Sequence, residues 1–246
     1  EDTVAVRDGQ GRLGYAVSVS TAGWTTAEVL DSLREDGGRN FDARTYLRER
    51  LLDTYLGTVD DSPDQWRWSR TGPDGRWTPE PRGRERAFAK YDGVLAGLAR
   101  GTIPAFVNFG EGYQEQLGVM AYQRTLDRQL LSLLDWPVWD SVTSEFEAAL
   151  TDSVIAAAVA QLPPEYLAGG ASFLAAGLRA RRDLLPKAAF GLYRLVNKEA
   201  AFFGTPGADT VTVTRRQDGA LELAFQGGFR RVYAPGESDA AEARPG

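Results

Sequence analysis

From about residue 122 to residue 204 the apolar side chains return every three or four positions, and each break in that rhythm falls on helix punctuation. Tyr122, Leu126, Leu130, Leu133 and Leu134 predict one helix. Asp135 with Pro137 opens the next, which carries Trp139, Val142, Phe146 and Leu150. Thr151 caps a third with Val154, Ile155, Ala158, Val159 and Leu162, and Pro163-Pro164 stops it. Residues 171–182 read as a fourth that ends in Arg179, Arg181 and Arg182, where cations complement the negative end of the helix dipole. Asp183 then caps a last long helix with Leu184, Ala188, Leu192, Leu195 and Val196 facing inward. A chain dominated by such segments folds as packed helices, with sheet only at its margins.

Two further helices precede this block. Thr25 and Glu28 have the spacing of a capping box, Val29, Leu30 and Leu33 follow on one face, and Gly37-Gly38 ends the run. Asp42 caps a second, with Tyr46, Leu47, Leu51, Tyr55 and Leu56 on one face and Gly57 closing it. Arg48, Glu49, Arg50 and Asp53 fall on the rest of that helix and read as its solvated face.

Strand signals lie between and outside the helices. Val4-Ala5-Val6 and Tyr15–Ser20 alternate weakly. Gln65–Arg70 alternates with Trp66 and Trp68 on one face, Pro73-Asp74-Gly75 is a turn, and Arg76–Thr78 is the return strand. The tryptophans could form a stacking platform, but packing of this hairpin onto the helices is the plainer reading. The region up to Gly118 is loop-rich. Val211–Arg216, Asp218-Gly219 and Leu221–Phe225 form a second hairpin with short edges that could pair with a neighbouring domain. The expected organisation is short strands over 1–24, a helical domain over 25–204, a hairpin over 205–234 and an acidic, loosely held tail over 235–246. The fold class is mainly α, of the α+β type, with two small β-hairpins.

Composition narrows the chemistry. The chain has no cysteine and no histidine, so disulfides, thiolate metal sites, imidazole bases and Ser-His-Asp triads are excluded. Its only lysines are Lys90, Lys187 and Lys198, and its net charge of −6 argues against nucleic acid as a partner. The longest apolar run, Val154–Ala160, falls far short of the roughly 20 residues of a membrane span. A chain that opens on Glu1 rather than Met reads as processed or as a piece of something longer.

The candidate site is Gly57–Trp66, with Asp60, Asp61, Asp64 and Gln65, followed some twenty residues later by Pro81–Phe88 with Glu85. A loop carboxylate after a helix, a hairpin and a later carboxylate give the order of parts used in phosphoryl transfer, where Mg²⁺ accepts oxygen ligands alone. Against this stands the ordinary habit of Asp in loops, which is to bond its own backbone in turns.

Several blocks in order resemble a known family. Asp42–Tyr55, Asp60 with Asp64–Trp68, Pro79–Phe88 with Tyr91-Asp92-Gly93, Asn108-Phe109-Gly110, Leu126-Asp127-Arg128, Leu150-Thr151-Asp152, Leu162–Tyr166 and Arg179–Asp183 resemble a kinase-like domain of bacterial envelope proteins. That domain is related to HipA-type and spore-coat CotH-type atypical kinases, and is often joined to a calcineurin-like phosphoesterase and an outer-membrane barrel. The resemblance covers about residues 25–243 and implies a helical kinase C-lobe. It places Asp60 at the catalytic aspartate and Gln65 at a metal-binding amide, with Mg²⁺ and ATP as the implied cofactors; Glu85 stands at a metal carboxylate if the second of the pattern's two acids is the ligand, and the ligand is lost at Gly83 if it is the first. The chain departs from the pattern where Thr58, Asp61 and Ser62 replace Asp, Arg and His, and where Gly83 and Glu85 replace two Asp. No Gly-rich strand turn or phosphate-pairing Lys lies before Asp42. Loss of the metal acid and loss of the phosphate clamp would each remove several kcal/mol of transition-state stabilisation, by analogy with lost oxyanion donors.

The resemblance therefore implies a degenerate, pseudokinase-like C-lobe that binds or scaffolds a neighbouring domain or envelope protein. An active Mg-dependent phosphotransferase completed by a separate N-lobe is one alternative. A helical interaction domain unrelated to nucleotides is another. Arg179–Arg182 could grip phosphate but reads more simply as a solvated helix end, and Gly9-Gln10-Gly11 is a turn, because no helix opens after it.

Overall fold

The structure is a computed structural model that describes residues 3–7, 13–17, 23–36, 40–59, 66–70, 75–84, 86–90, 108–113, 117, 123–204 and 207–244. Side chains are described from residue 23 to residue 239, except Tyr166 and Ala168. Among these residues the chain is mainly helical and of the α+β type. The helices are α1 (Thr26–Asp36), α2 (Ala43–Leu56), α3 (Arg124–Leu131), α4 (Trp136–Ala149), α5 (Asp152–Val159) and α6 (Pro164–Asn197). The strands are β1 (Thr3–Arg7), β2 (Leu13–Val17), β3 (Trp24–Thr25), β4 (Trp66–Ser69), β5 (Thr78–Pro81), β6 (Glu199–Phe203), β7 (Val211–Arg215), β8 (Leu221–Phe225), β9 (Arg230–Tyr233) and β10 (Ala240–Arg244).

Helix starts sit where local hydrogen bonds put them. Thr25 N–H donates to Glu28 Oε2 at 2.8 Å, and Glu28 N–H returns to Thr25 Oγ1 at 3.3 Å, a closed capping box. Asp42 Oδ1 accepts from Thr45 N–H at 3.0 Å, Asp135 Oδ1 from Val138 N–H at 3.2 Å and Thr151 Oγ1 from Val154 N–H at 3.2 Å.

The two helices expected over 171–182 and from Asp183 onward are one. Helix α6 runs unbroken for 34 residues, with Pro186 inside it, a length of about 50 Å at 1.5 Å per residue. Asp183 is therefore no cap. The continuous phase turns Leu184 to solvent and buries Leu185 in its place.

Helix α2 is the centre of the molecule and packs against α3, α4, α6 and β5. Its Tyr46, Leu47 and Leu51 join Trp66, Trp68, Trp77, Trp139, Leu192 and Val196 in the main core. The hairpin tryptophans are thus core residues, all but inaccessible, with Tyr46 and Trp66 ring centroids 5.0 Å apart. The return strand begins two residues later than expected, so that Trp66 pairs with Pro81 and Trp68 with Pro79. Prolines are tolerated there because β5 is an edge strand of the β3-β4-β5 sheet.

The C-terminal hairpin gains a third strand, in the order β7-β8-β9. The tail from Pro235, expected to be loose, is tied in: β10 pairs in parallel with β6, Ala240 opposite Glu199 and Arg244 opposite Phe203. No helix among the described residues is long and apolar enough to cross a membrane.

Candidate functional site

Asp60, Gln65 and Glu85 lie outside the described residues, but the segments that flank Asp60 and Glu85 meet at the C-terminus of α2; Trp66, beside Gln65, packs on Tyr46 near the other end of that helix. Gly57 adopts the left-handed conformation there (φ 73°), its N–H reaching Asp53 and Thr54 carbonyls, and Thr58 N–H donates to Asp53 O at 3.0 Å. Phe88 N–H donates to Leu56 O at 3.1 Å, so a residue of the second block satisfies one of the helix's last carbonyls. Phe88 is also the one described non-glycine residue with positive φ, at 60°. Ala89 O then accepts from Phe109 N–H at 2.7 Å, which brings in the 108–113 segment. Thr58 Oγ1 is buried with no hydrogen-bond partner among the described residues.

A chain of charges lies beneath this junction. Arg50 and Asp53, expected on a solvated face, are buried. The Arg50 guanidinium donates to both oxygens of Asp127, through Nε at 2.9 Å and Nη2 at 3.2 Å, and through Nη1 to Asp53 at 3.2 Å. Tyr46 Oη donates to Asp127 Oδ1 at 2.9 Å. Arg84 comes in from the other side, with Nε 2.9 Å from Asp53 Oδ1 and Nη2 2.6 Å from Glu49 Oε2. Burial pushes the Asp127 carboxyl up and the Arg50 guanidinium pulls it back, while burial of Arg50 is outweighed by Asp127, Tyr46 and Asp53, which hold it protonated. Three donors on one carboxylate are the geometry of an anion. The solvated reading of α2's far face fails because the partners, Asp127 and Arg84, are 77 and 31 residues away along the chain.

Arg181 locks the same end of α2. It sits in mid-helix, wholly buried, where a solvated helix end was expected. Its Nε donates to Tyr55 O at 2.7 Å, Nη2 to Thr54 O at 2.5 Å, and Nη1 to Gly112 O at 2.7 Å and Gly110 O at 3.2 Å. The guanidinium lies 4.1 Å from the Tyr113 ring centroid and 4.9 Å from that of Phe109. Burial lowers its pKa to about 10, which still leaves it charged at neutral pH.

Among the described residues no three Asp or Glu gather into a group able to hold a metal ion. Chemically, this end of α2 is a stack of neutralised charges that fixes the positions of the Gly57–Val59, Arg84–Lys90 and Phe109–Tyr113 segments.

Sequence reasoning missed a second concavity, at the opposite end of α2. A cavity of about 790 Å³ is lined by Phe41, Arg76, Leu133, Leu134, Phe203 and Gly204, and by Asp209, Thr210, Val211, Phe225, Gln226, Gly227 and Phe229. A smaller one of about 220 Å³, which adds Leu33, Ala43, Gln129 and Leu130, shares Phe41, Leu133, Leu134, Phe203 and Phe229 with it. The signal available in the sequence was Gly227-Gly228-Phe229, a turn with both glycines at positive φ that presents a half-exposed aromatic ring. No protein-family model, curated protein or solved structure matches the chain.

Proposed function

We propose that this chain is a kinase-C-lobe-like domain that has lost turnover and works as a binding or scaffold module of a bacterial envelope protein. The observation that supports this reading best is the commitment of Arg84. In the resembled pattern this arginine stands between two acids of a metal-binding block. Here it turns inward onto Asp53 and Glu49, while Gly83 replaces one of the flanking acids and Glu85 the other. The carboxylates under the junction are neutralised by arginines and hold segments together.

One observation favours a second reading, a Mg-dependent phosphotransferase with Asp60 as base and Gln65 and Glu85 on the metal. The described neighbours of Asp60 and Glu85 approach one helix end, where Phe88 N–H meets Leu56 O, while Trp66, the neighbour of Gln65, lies against Tyr46 at the other end of α2. Isothermal calorimetry with MgATP and with MnATP separates the two. The scaffold reading expects no metal-dependent heat at millimolar nucleotide. Metal-dependent binding that disappears in both Asp60→Ala and Glu85→Ala would replace it with the second.

A further inference from the structure

Among the described residues strand β7 is hydrogen-bonded along one side only, to β8. Gln226 N–H donates to Thr210 O at 3.0 Å and Arg216 N–H to Ala220 O at 2.8 Å, at the two ends of the ladder. Bonded and non-bonded pairs alternate in an antiparallel ladder. Thr210, Thr212, Thr214 and Arg216 therefore turn their backbone groups toward β8, and Val211, Val213 and Arg215 turn theirs to the open side. Natural edges are usually blunted by charged side chains, proline or a bulge. The sequence Val-Thr-Val-Thr-Arg of β7 carries one charge, Arg215 at its last position, and leaves the edge at Val211 and Val213 unguarded.

The side chains of the outward-bonding residues point the same way as the core. Val213 pairs with Leu223, which is fully buried, yet Val213 itself is 51% exposed because no described residue covers it beyond the edge. On that same face Val211 and Phe225 line the 790 Å³ cavity, with Phe229 half-exposed at its rim. Two arginines and one acid flank the edge. The exposed Arg215 guanidinium reaches the Gly219 and Asp239 carbonyls at 3.2 Å, and Arg76 lines the cavity together with Asp209; neither arginine is ion-paired among the described residues.

We propose that β7 is a docking edge for an extended segment of another polypeptide, one with apolar residues at alternate positions and an acid placed to reach Arg215 or Arg76. Such a segment would take up the N–H and C=O groups of Val211, Val213 and Arg215 as a fourth strand. Its alternate side chains fall on the inner face, and the one beside Val211 enters the cavity. A lipid or small molecule could fill the cavity but would leave the backbone edge unused. The proposal uses the end of α2 away from Gly57 and Phe88, and stands whether or not the chain binds nucleotide.

The test is selection of a displayed library of random short peptides on the whole 246-residue chain, followed by anisotropy titration of the enriched peptides. The expected peptides alternate apolar residues and carry an acid. Val213→Pro removes an outward N–H and no ladder bond, so it should weaken binding about tenfold or more while circular dichroism stays unchanged. Phe229→Ser should also weaken binding. A measurement free of any substitution is amide exchange in the unaltered chain, which should slow at Val211, Val213 and Arg215 when peptide is added. Failure to enrich any peptide, enriched peptides with helical spacing, equal binding to Val213→Pro, or unchanged exchange at those amides would overturn the proposal. So would sedimentation showing that two copies of the chain occupy the edge.

Discussion

Asp53 of α2 and Arg84, from the segment after β5, are 31 residues apart in sequence and 2.9 Å apart in space, Oδ1 to Nε. Because Asp53 is buried and also bonded to Arg50, Arg84 is the point at which a surface segment is fastened to the interior charge chain. Arg84→Met should cost about 1.5–3 kcal/mol, the range for hydrogen bonds to charged groups, read from urea unfolding. Amide exchange at Phe88, whose N–H lies next to this fastening, should speed up in the same variant.

The Arg50–Asp127 pair behaves differently, because neither partner can reach water. Arg50→Met should destabilise by about 3–5 kcal/mol, since it leaves Asp127 buried without its counter-charge; Asp127→Leu should cost less, because Arg50 keeps Asp53. Combining Arg50→Met with Asp127→Leu removes both charges. The double variant should cost less than the sum of the single losses by about 1–3 kcal/mol. Strict additivity would mean that the two groups do not act as a pair.

Arg181 serves carbonyls on two segments at once. Arg181→Met should lower stability by about 2–4 kcal/mol, because it leaves several buried carbonyls unpaired. Arg181→Lys should recover little, since an ammonium cannot span the fork. Thermal melts of the two variants would settle the comparison, and a lysine variant as stable as the native chain would refute it.

Gly177 of α6 is small for a packing reason. A Cβ there would stand 2.9 Å from Cε1 of Phe109, and that ring is held against Arg181 and edge-on to Phe88 at 5.2 Å between centroids. Gly177→Ala should therefore destabilise by about 1–3 kcal/mol, although alanine favours helix. Adding Phe109→Leu should recover part of the loss, and a stabilised Gly177→Ala variant would count against this packing.

Alkali should unfold the protein over a defined window. Burial pushes Tyr55 and Tyr233 up to about 12 and also raises Tyr46, Tyr113 and Tyr193. A phenol whose folded value exceeds its unfolded value of about 10 holds its proton more tightly in the native state. Its contribution to stability is complete below pH 10 and is lost as the pH climbs toward 12. Tyrosinate absorbance should accordingly show these residues ionising together with loss of helical circular dichroism. Smooth ionisation in an intact fold would contradict their burial.

The parts of this fold legible in sequence are those closed within three or four residues. Thr25 with Glu28, Asp42, Asp135 and Thr151 announce their helices because donor and acceptor are near neighbours. Arg179–Asp183 misled for the same reason: locally it has the look of one helix ending and another starting, yet Arg181 is kept in mid-helix by carbonyls at Thr54, Tyr55 and Gly112. Arg50 and Asp53 were illegible because α3 and the segment after β5, which cover them, are remote in sequence. At the candidate site, the motifs give only separate segments. The bond from Phe88 to Leu56 that joins them, and the cavity under β7, arise from tertiary placement that no local pattern encodes.

The parallel pairing of β6 with β10 has a topological consequence. The chain leaves β6, makes the whole β7-β8-β9 sheet and returns to lie along the strand it left. That sheet is therefore a loop sealed at its base, and a protease that nicks the Asp218-Gly219 turn should yield two pieces that still travel together through gel filtration.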